Sequence, residues 1–140
     1  MKRVTAVLAS LLMVTASFAQ EWAPVGANIR TTWADQLDPA NPLPAYPRPQ
    51  MVRQDWMNMN GLWNYAITDA SAESFDVQGK ILVPFAVESS LSGVGKRVSK
   101  GEALWYEREF TVPSSWKGKN VILHFGGVDW KSEVFVNGVR

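Results

Sequence analysis

Between Lys119 and Gly138 the chain reads KNVILHFGGVDWKSEVFVNG, and no other stretch limits its fold as tightly. Val121, Leu123 and Phe125 alternate with Ile122 and His124, and after Gly126 to Trp130 a second alternation sets Val134 and Val136 against Glu133 and Phe135. Period two sends successive side chains to opposite faces, as a strand does. Asn137-Gly138 then suits the two positive-φ positions of a type I′ turn, because Gly has no Cβ and Asn tolerates the left-handed region. The expectation is two strands and a hairpin, with only Val139 and Arg140 on the return side. Such a short return leaves Lys131 to Val136 with an open edge that invites aggregation unless something covers it. We therefore expect the chain to be the front end of something longer.

Residues 1–19 carry a different signal. Met1-Lys2-Arg3 is a positive start, Val4 to Val14 is mostly apolar, and Ser17-Phe18-Ala19 places small residues where a signal peptidase reads them. Thr15, Ser17 and Gln20 relieve the apolar run too early for a stable membrane anchor. The expectation is a cleavable signal peptide cut after Ala19, and a periplasmic or secreted mature chain. Removing Lys2 and Arg3 from the 14 basic residues leaves 12 against 13 acidic ones, a formal charge of −1. Near neutrality speaks against a nucleic-acid partner, which selects a basic face. With no cysteine and one histidine, neither a disulfide framework nor a zinc cluster can be built, and no cofactor or metal is expected. Stability must come from burial, chiefly of seven Trp, six Phe and three Tyr.

Residues 20–50 form an arm. Pro24, Pro39, Pro42, Pro44, Pro47 and Pro49 exclude a long helix or a central strand. Thr31 to Leu37 has room for one or two helical turns capped by a threonine hydroxyl. Trp22, Trp33, Leu37 and Tyr46 favour an arm packed on a sandwich, with disorder expected before about residue 28. The domain proper runs from 51 to 140. Met51 to Gly61 reads as a short helix or turn with Trp56 and Met59 facing inward. Leu62 to Thr68 and Lys80 to Val83 read as strands, joined by the polar surface connection Asp69 to Gly79. Pro113 to Gly118 reads as one serine-capped turn closed by glycine.

Leu104 to Thr111 is the longest expected strand. Leu104, Tyr106, Arg108 and Phe110 share the face expected to be buried. A guanidinium there needs a partner. Asp129 and Glu88 are the candidates for an internal salt bridge, and a sugar hydroxyl is the other destination. Pro84 to Ala103 is a connection of about twenty residues, longer than compact domains commonly keep. Its serines and charges make it either a loop that reaches a ligand or neighbouring domain, or a mobile surface excursion; Lys96 and Arg97 are its candidate substrate contacts. Asp129-Trp130 reads as a corner where tryptophan fills the sandwich and aspartate ties down main-chain N–H groups, with a sugar platform as the alternative. Short strands with regular turn signals and no sustained helical period give an all-β antiparallel sandwich.

YPRPQ at 46–50, NGLW at 60–63, ILVPF at 81–85, LWYEREFTVP at 104–113 and HFGGVDW with VFVNG between 124 and 138 carry a resemblance. In order and spacing they are similar to the N-terminal sugar-binding domain of glycoside hydrolase family 2, the family of β-galactosidase-like and β-glucuronidase-like enzymes. The resemblance covers residues 33–140 and implies a jelly roll of the galactose-binding-domain-like kind, incomplete at its C-terminus. For the complete protein it implies hydrolysis of a terminal β-glycosidic bond by double displacement, in glycan scavenging by a Gram-negative bacterium. It also implies that a loop of this domain reaches the edge of the active site. A retaining glycosidase needs two carboxyl groups about 5 to 5.5 Å apart. No such pair is evident in this chain. The family's two catalytic glutamates belong to a (β/α)₈ barrel preceded by an immunoglobulin-like sandwich, so no catalytic residue is carried over and those domains are the expected partners. The competing readings are a free-standing carbohydrate-binding module and, with nothing specific behind it, an adhesion or scaffold domain.

Overall fold

The computed structural model describes residues 22–26, 31–45, 53–129 and 131–140. Three strands form one antiparallel sheet: β1 (Gly61–Asp69), β2 (Gly79–Val83) and β3 (Glu102–Glu107), in the order β2-β1-β3. The only α-helix among the described residues is α1 (Thr32–Asp35), a single turn. The regular structure among the described residues is thus mostly strand, with little helix, as the sequence leads one to expect of an all-β chain.

Register follows from the alternation in β1. Trp63 pairs with Ile81, Tyr65 with Gly79 on one side and Tyr106 on the other, and Ile67 with Leu104. These residues share one face, and the core sits on it: Tyr65, Ile81 and Val87 are buried, with Trp63, Ile67, Val94, Val98 and Leu104 packed around them. Gly79 is needed opposite Tyr65, since a Cβ there would lie 3.2 Å from the phenol ring. Past Gly79 the pairing is continued by a side chain. The Gln78 amide accepts from the Ile67 N–H (3.1 Å) and donates to the Ile67 carbonyl (2.9 Å), imitating a strand residue.

The opposite face buries Ala66 and Leu82 and is otherwise more polar. Lys80 donates to the Asn64 side-chain oxygen Oδ1 and Asn64 donates from Nδ2 to Glu107 (2.9 Å), a ladder across all three strands. Trp105 stacks on Phe75 at 5.0 Å and donates to the Thr68 hydroxyl at 2.8 Å, so the connection between β1 and β2 is fastened by an aromatic pair.

Several local expectations are corrected. Residues 53–60 contain no helix, although Trp56 and Met59 are half-buried. Thr31 stands at the cap of α1, but its side chain makes no capping bond. The turn at Ser114–Trp116 is a 3₁₀ turn entered from Pro113, again with no side-chain cap. Residues 22–26, expected to be disordered, are docked on the loop that follows β2, whereas Trp33 of the arm is 78% exposed. β3 stops at Glu107 instead of Thr111, because Arg108 turns away to bond carbonyls rather than continue the ladder.

The largest correction concerns residues 119–136. Neither alternation becomes a strand among the described residues, and Val121, Ile122, Leu123, Phe125, Val134, Phe135 and Val136 are all exposed. The turn itself forms as expected. Asn137 and Gly138 have φ of 52° and 77°, and Val136 and Val139 exchange N–H···O bonds of 2.8 and 3.0 Å. A local turn needs only its own residues; a strand needs a neighbour to take its main-chain groups, and a bare two-stranded ribbon is marginal in water. The signal peptide, the YPRPQ stretch and Trp130 lie outside the described residues.

Candidate functional site

Two places bring chemistry-bearing side chains together, both on the core side of the sheet. The first lies at the end of β3. Arg108 donates from Nη1 to the carbonyls of Met59 (2.7 Å) and Asn60 (3.0 Å), and its guanidinium carbon stands 5.9 Å from the Trp63 ring centroid. Trp63 in turn donates from Nε1 to the same Met59 carbonyl at 2.8 Å and meets Tyr106 edge-on at 6.5 Å. The sequence placed Arg108 on the inward side, and it is half-buried there, but its partners are two carbonyls and an aromatic face rather than Glu88 or Asp129. Carbonyls suffice because Nη1 alone carries two N–H groups and donates to both. Gly61 makes room for it: its φ is 129°, and a Cβ would sit 3.0 Å from Arg108 Nη1.

Burial pushes the Tyr106 phenol above its ordinary value, and the negative charge of Glu88 adds to the effect. Glu88 thus faces Tyr106 electrostatically, while Arg108 looks elsewhere. Tyr106 is nonetheless 42% exposed, so part of the residue is open to solvent.

The second place is the loop between β2 and β3. Ser89 opens a 3₁₀ turn over Ser90–Ser92 and accepts from the Ser92 N–H. The Ser92 hydroxyl is fully buried. It accepts from the N–H groups of Val94 (3.0 Å) and Gly95 (3.3 Å) and lies within bonding distance of the Val87 and Ser89 carbonyls. Val87, Val94 and Val98 turn into the core, and at the far end Glu102 accepts from the Ser99 N–H at 2.7 Å. So the loop is not a loose excursion; it is the lid of the core. Lys96 and Arg97 occupy its exposed crest between the two valine anchors. Among the described residues no hydrogen bond or ion pair links either of them to the Trp63–Tyr106–Arg108 group. Asp129 is exposed, and its neighbour Trp130 lies outside the described residues.

Sequence reasoning passed over the role of Ser92. The signal for Ser92 was the serine run 89–92 ending in Gly93, a turn composition whose buried member cannot be told from its exposed ones. Among the described residues no cluster of three His, Asp or Glu could hold a metal ion, and no helix is long and apolar enough to cross a membrane.

No protein-family model matches the sequence. The chain is similar to a β-glucuronidase of Canis lupus familiaris, 32% identical over an alignment of 114 residues that covers 68% of this chain and 17% of that protein. It is also similar to a β-galactosidase of Thermoanaerobacter pseudethanolicus (strain ATCC 33223 / 39E), 31% identical over 90 residues, 61% of this chain and 12% of that protein. The chain therefore spans less than a fifth of the length of either relative. Its sequence is glycosidase-like.

Proposed function

We propose that the chain is the leading, non-catalytic domain of a secreted glycoside hydrolase of family 2. In this reading residues 51–140 belong to a jelly-roll sandwich of the galactose-binding-domain-like kind, and an immunoglobulin-like domain and a (β/α)₈ barrel elsewhere in the polypeptide complete the enzyme. The observation that carries it is the proportion of the match: 68% of this chain aligns with only 17% of a β-glucuronidase. A leading module would match in that way. The antiparallel sheet and the exposed alternating stretch 121–125 support the same reading, since that stretch has the pattern of a strand whose neighbour comes from further sequence. Residues 1–19 would direct export to the periplasm or beyond and then be removed.

In such an enzyme the crest at Lys96 and Arg97 is the part of this domain offered to substrate, a β-glycoside of galactosidase- or glucuronidase-like type. Catalysis belongs to the barrel, so these two cations bind and do not react. The test compares this chain with the full product of its reading frame on aryl β-galactosides and aryl β-glucuronides. The full product should release the aryl group and the 140-residue chain should not. Lys96→Ala with Arg97→Ala in the full product should raise KM several-fold and leave kcat within about twofold, the signature of lost binding. Release by this chain alone would refute the assignment. A stop codon after Arg140, with sugar binding retained, would instead favour a free-standing carbohydrate-binding module.

A further inference from the structure

The most specific contact that the proposed function leaves unused joins the arm to the loop after β2. Trp22 donates from Nε1 to the Leu91 carbonyl at 3.1 Å. Val25 donates its N–H to the Ser90 carbonyl at 3.1 Å, and the Ser90 hydroxyl donates back to the Val25 carbonyl at 2.5 Å. Sixty-five or more residues of sequence separate these partners. The loop is shaped to receive them. A Cβ on Gly93 would come within 2.7 Å of the Trp22 ring, and one on Gly95 within 2.7 Å of a Val25 methyl. Both glycines also have left-handed φ, of 80° and 63°. Only glycine satisfies the turn and the close approach together. Directly after Gly95 stand Lys96 and Arg97, and behind them Val98 returns to the core.

We propose that Trp22–Val25 is an intramolecular strap that clamps the near end of the 84–101 loop and thereby fixes the crest carrying Lys96 and Arg97. Trp22 is its positioning residue. The loop then has three anchors: the strap outside, the Ser92 hydroxyl within, and Val98 with Glu102 at the far end. Of these only the strap comes from a distant part of the sequence, so only it can be withdrawn without changing the loop. A signal peptide cut after Ala19 leaves the strap in place; trimming past Trp22 would release it. This inference stands whether or not the crest touches a substrate.

Trypsin reads the crest directly, because it cuts after Lys96 and Arg97, and the exposed Lys117 and Lys119 supply an internal reference remote from the strap. In the full chain, Trp22→Ala should speed nicking at 96 and 97 by about tenfold or more while cleavage at 117 and 119 is unchanged, since local opening governs the rate. Ser90→Ala should act in the same direction with a smaller factor, and Trp22→Phe should fall between. Hydrogen exchange at the Val25 amide should quicken in Trp22→Ala. Equal acceleration at all four sites would mean general unfolding and would overturn the strap, as would unchanged cleavage at 96 and 97 in both Trp22→Ala and Ser90→Ala.

Discussion

At the scale of single residues, Arg108 ties the end of β3 to the segment before β1. It binds two carbonyls and covers an indole face, and it forces glycine at position 61. Arg108→Met keeps much of the stem but removes both bonds to carbonyls, and should cost about 1.5–3 kcal/mol in urea unfolding, the range for hydrogen bonds to a charged group. Gly61→Ala should cost about 1–3 kcal/mol by the same measurement, since the backbone there is left-handed and the new methyl meets Nη1. Tyr106 offers a pH test. Its folded pKa is raised above 10.0, first by burial and then by Glu88, so the fold keeps the phenol protonated. Any stability linked to it is intact below pH 10.0 and falls as the pH climbs from there through the folded value. A difference titration of tyrosinate absorbance between the wild type and Tyr106→Phe should place Tyr106 above an ordinary tyrosine, with Glu88→Gln bringing it part of the way down. A Tyr106 that ionises with the free amino acid would contradict that environment.

At the scale of elements, the loop after β2 and the segment before β1 decide how the sheet is covered. Ser92 organises the loop with one buried hydroxyl, and Ser92→Ala leaves the Val94 and Gly95 N–H groups without their acceptor. That should cost about 1–3 kcal/mol, the desolvation of buried donors, with the loss in hydrogen exchange concentrated at residues 92–95. On the other side, Asp55 binds Lys119 and Trp56 stacks at 5.6 Å from His124, tying residues 53–56 to 116–124. The hydrogen bond from Lys119 leads the causes that hold the Asp55 carboxyl below its ordinary 3.8. A depressed acid stabilises the fold above its unfolded value and loses that contribution as pH falls through the folded one. The ring-current shift of the His124 protons by Trp56 should therefore fade as pH drops below 3.8, and Asp55→Asn should weaken it already at neutral pH. Retention of the shift in Asp55→Asn would show that the aromatic contact holds without the ion pair.

At the scale of the whole molecule, the chain is well packed from β1 to β3 and open from Phe110 onward. Ile122 is 69% and Val139 71% exposed, within a run of apolar side chains that shares no buried face. Exposed alternating apolar sequence is a site of association. The isolated chain should bind a hydrophobic dye and self-associate in sedimentation, and Ile122→Lys should lower both without changing the hydrogen-exchange protection of β1. Association that persists unchanged in this variant would place the sticky surface elsewhere.

The period-two alternation located all three strands to within a few residues, and side-chain parity set Tyr65, Ile67 and Leu104 on the buried face. Asn137-Gly138 specified its own turn, and the described residues of the proline-rich arm hold a single helical turn and no strand. These features are local: they depend on φ preferences and on which side of a pleat a residue falls, and both are written in neighbouring residues. What only the tertiary structure decided is contact between distant segments. Arg108 found carbonyls nearly fifty positions back, Trp22 found the Leu91 carbonyl, and one serine among several became the buried post of a loop. The described residues of 119–136 have the pattern of strands but no pairing beyond the turn's own Val136–Val139 bridge, because alternation prepares two faces, while a ladder requires another strand's donors and acceptors at the same depth.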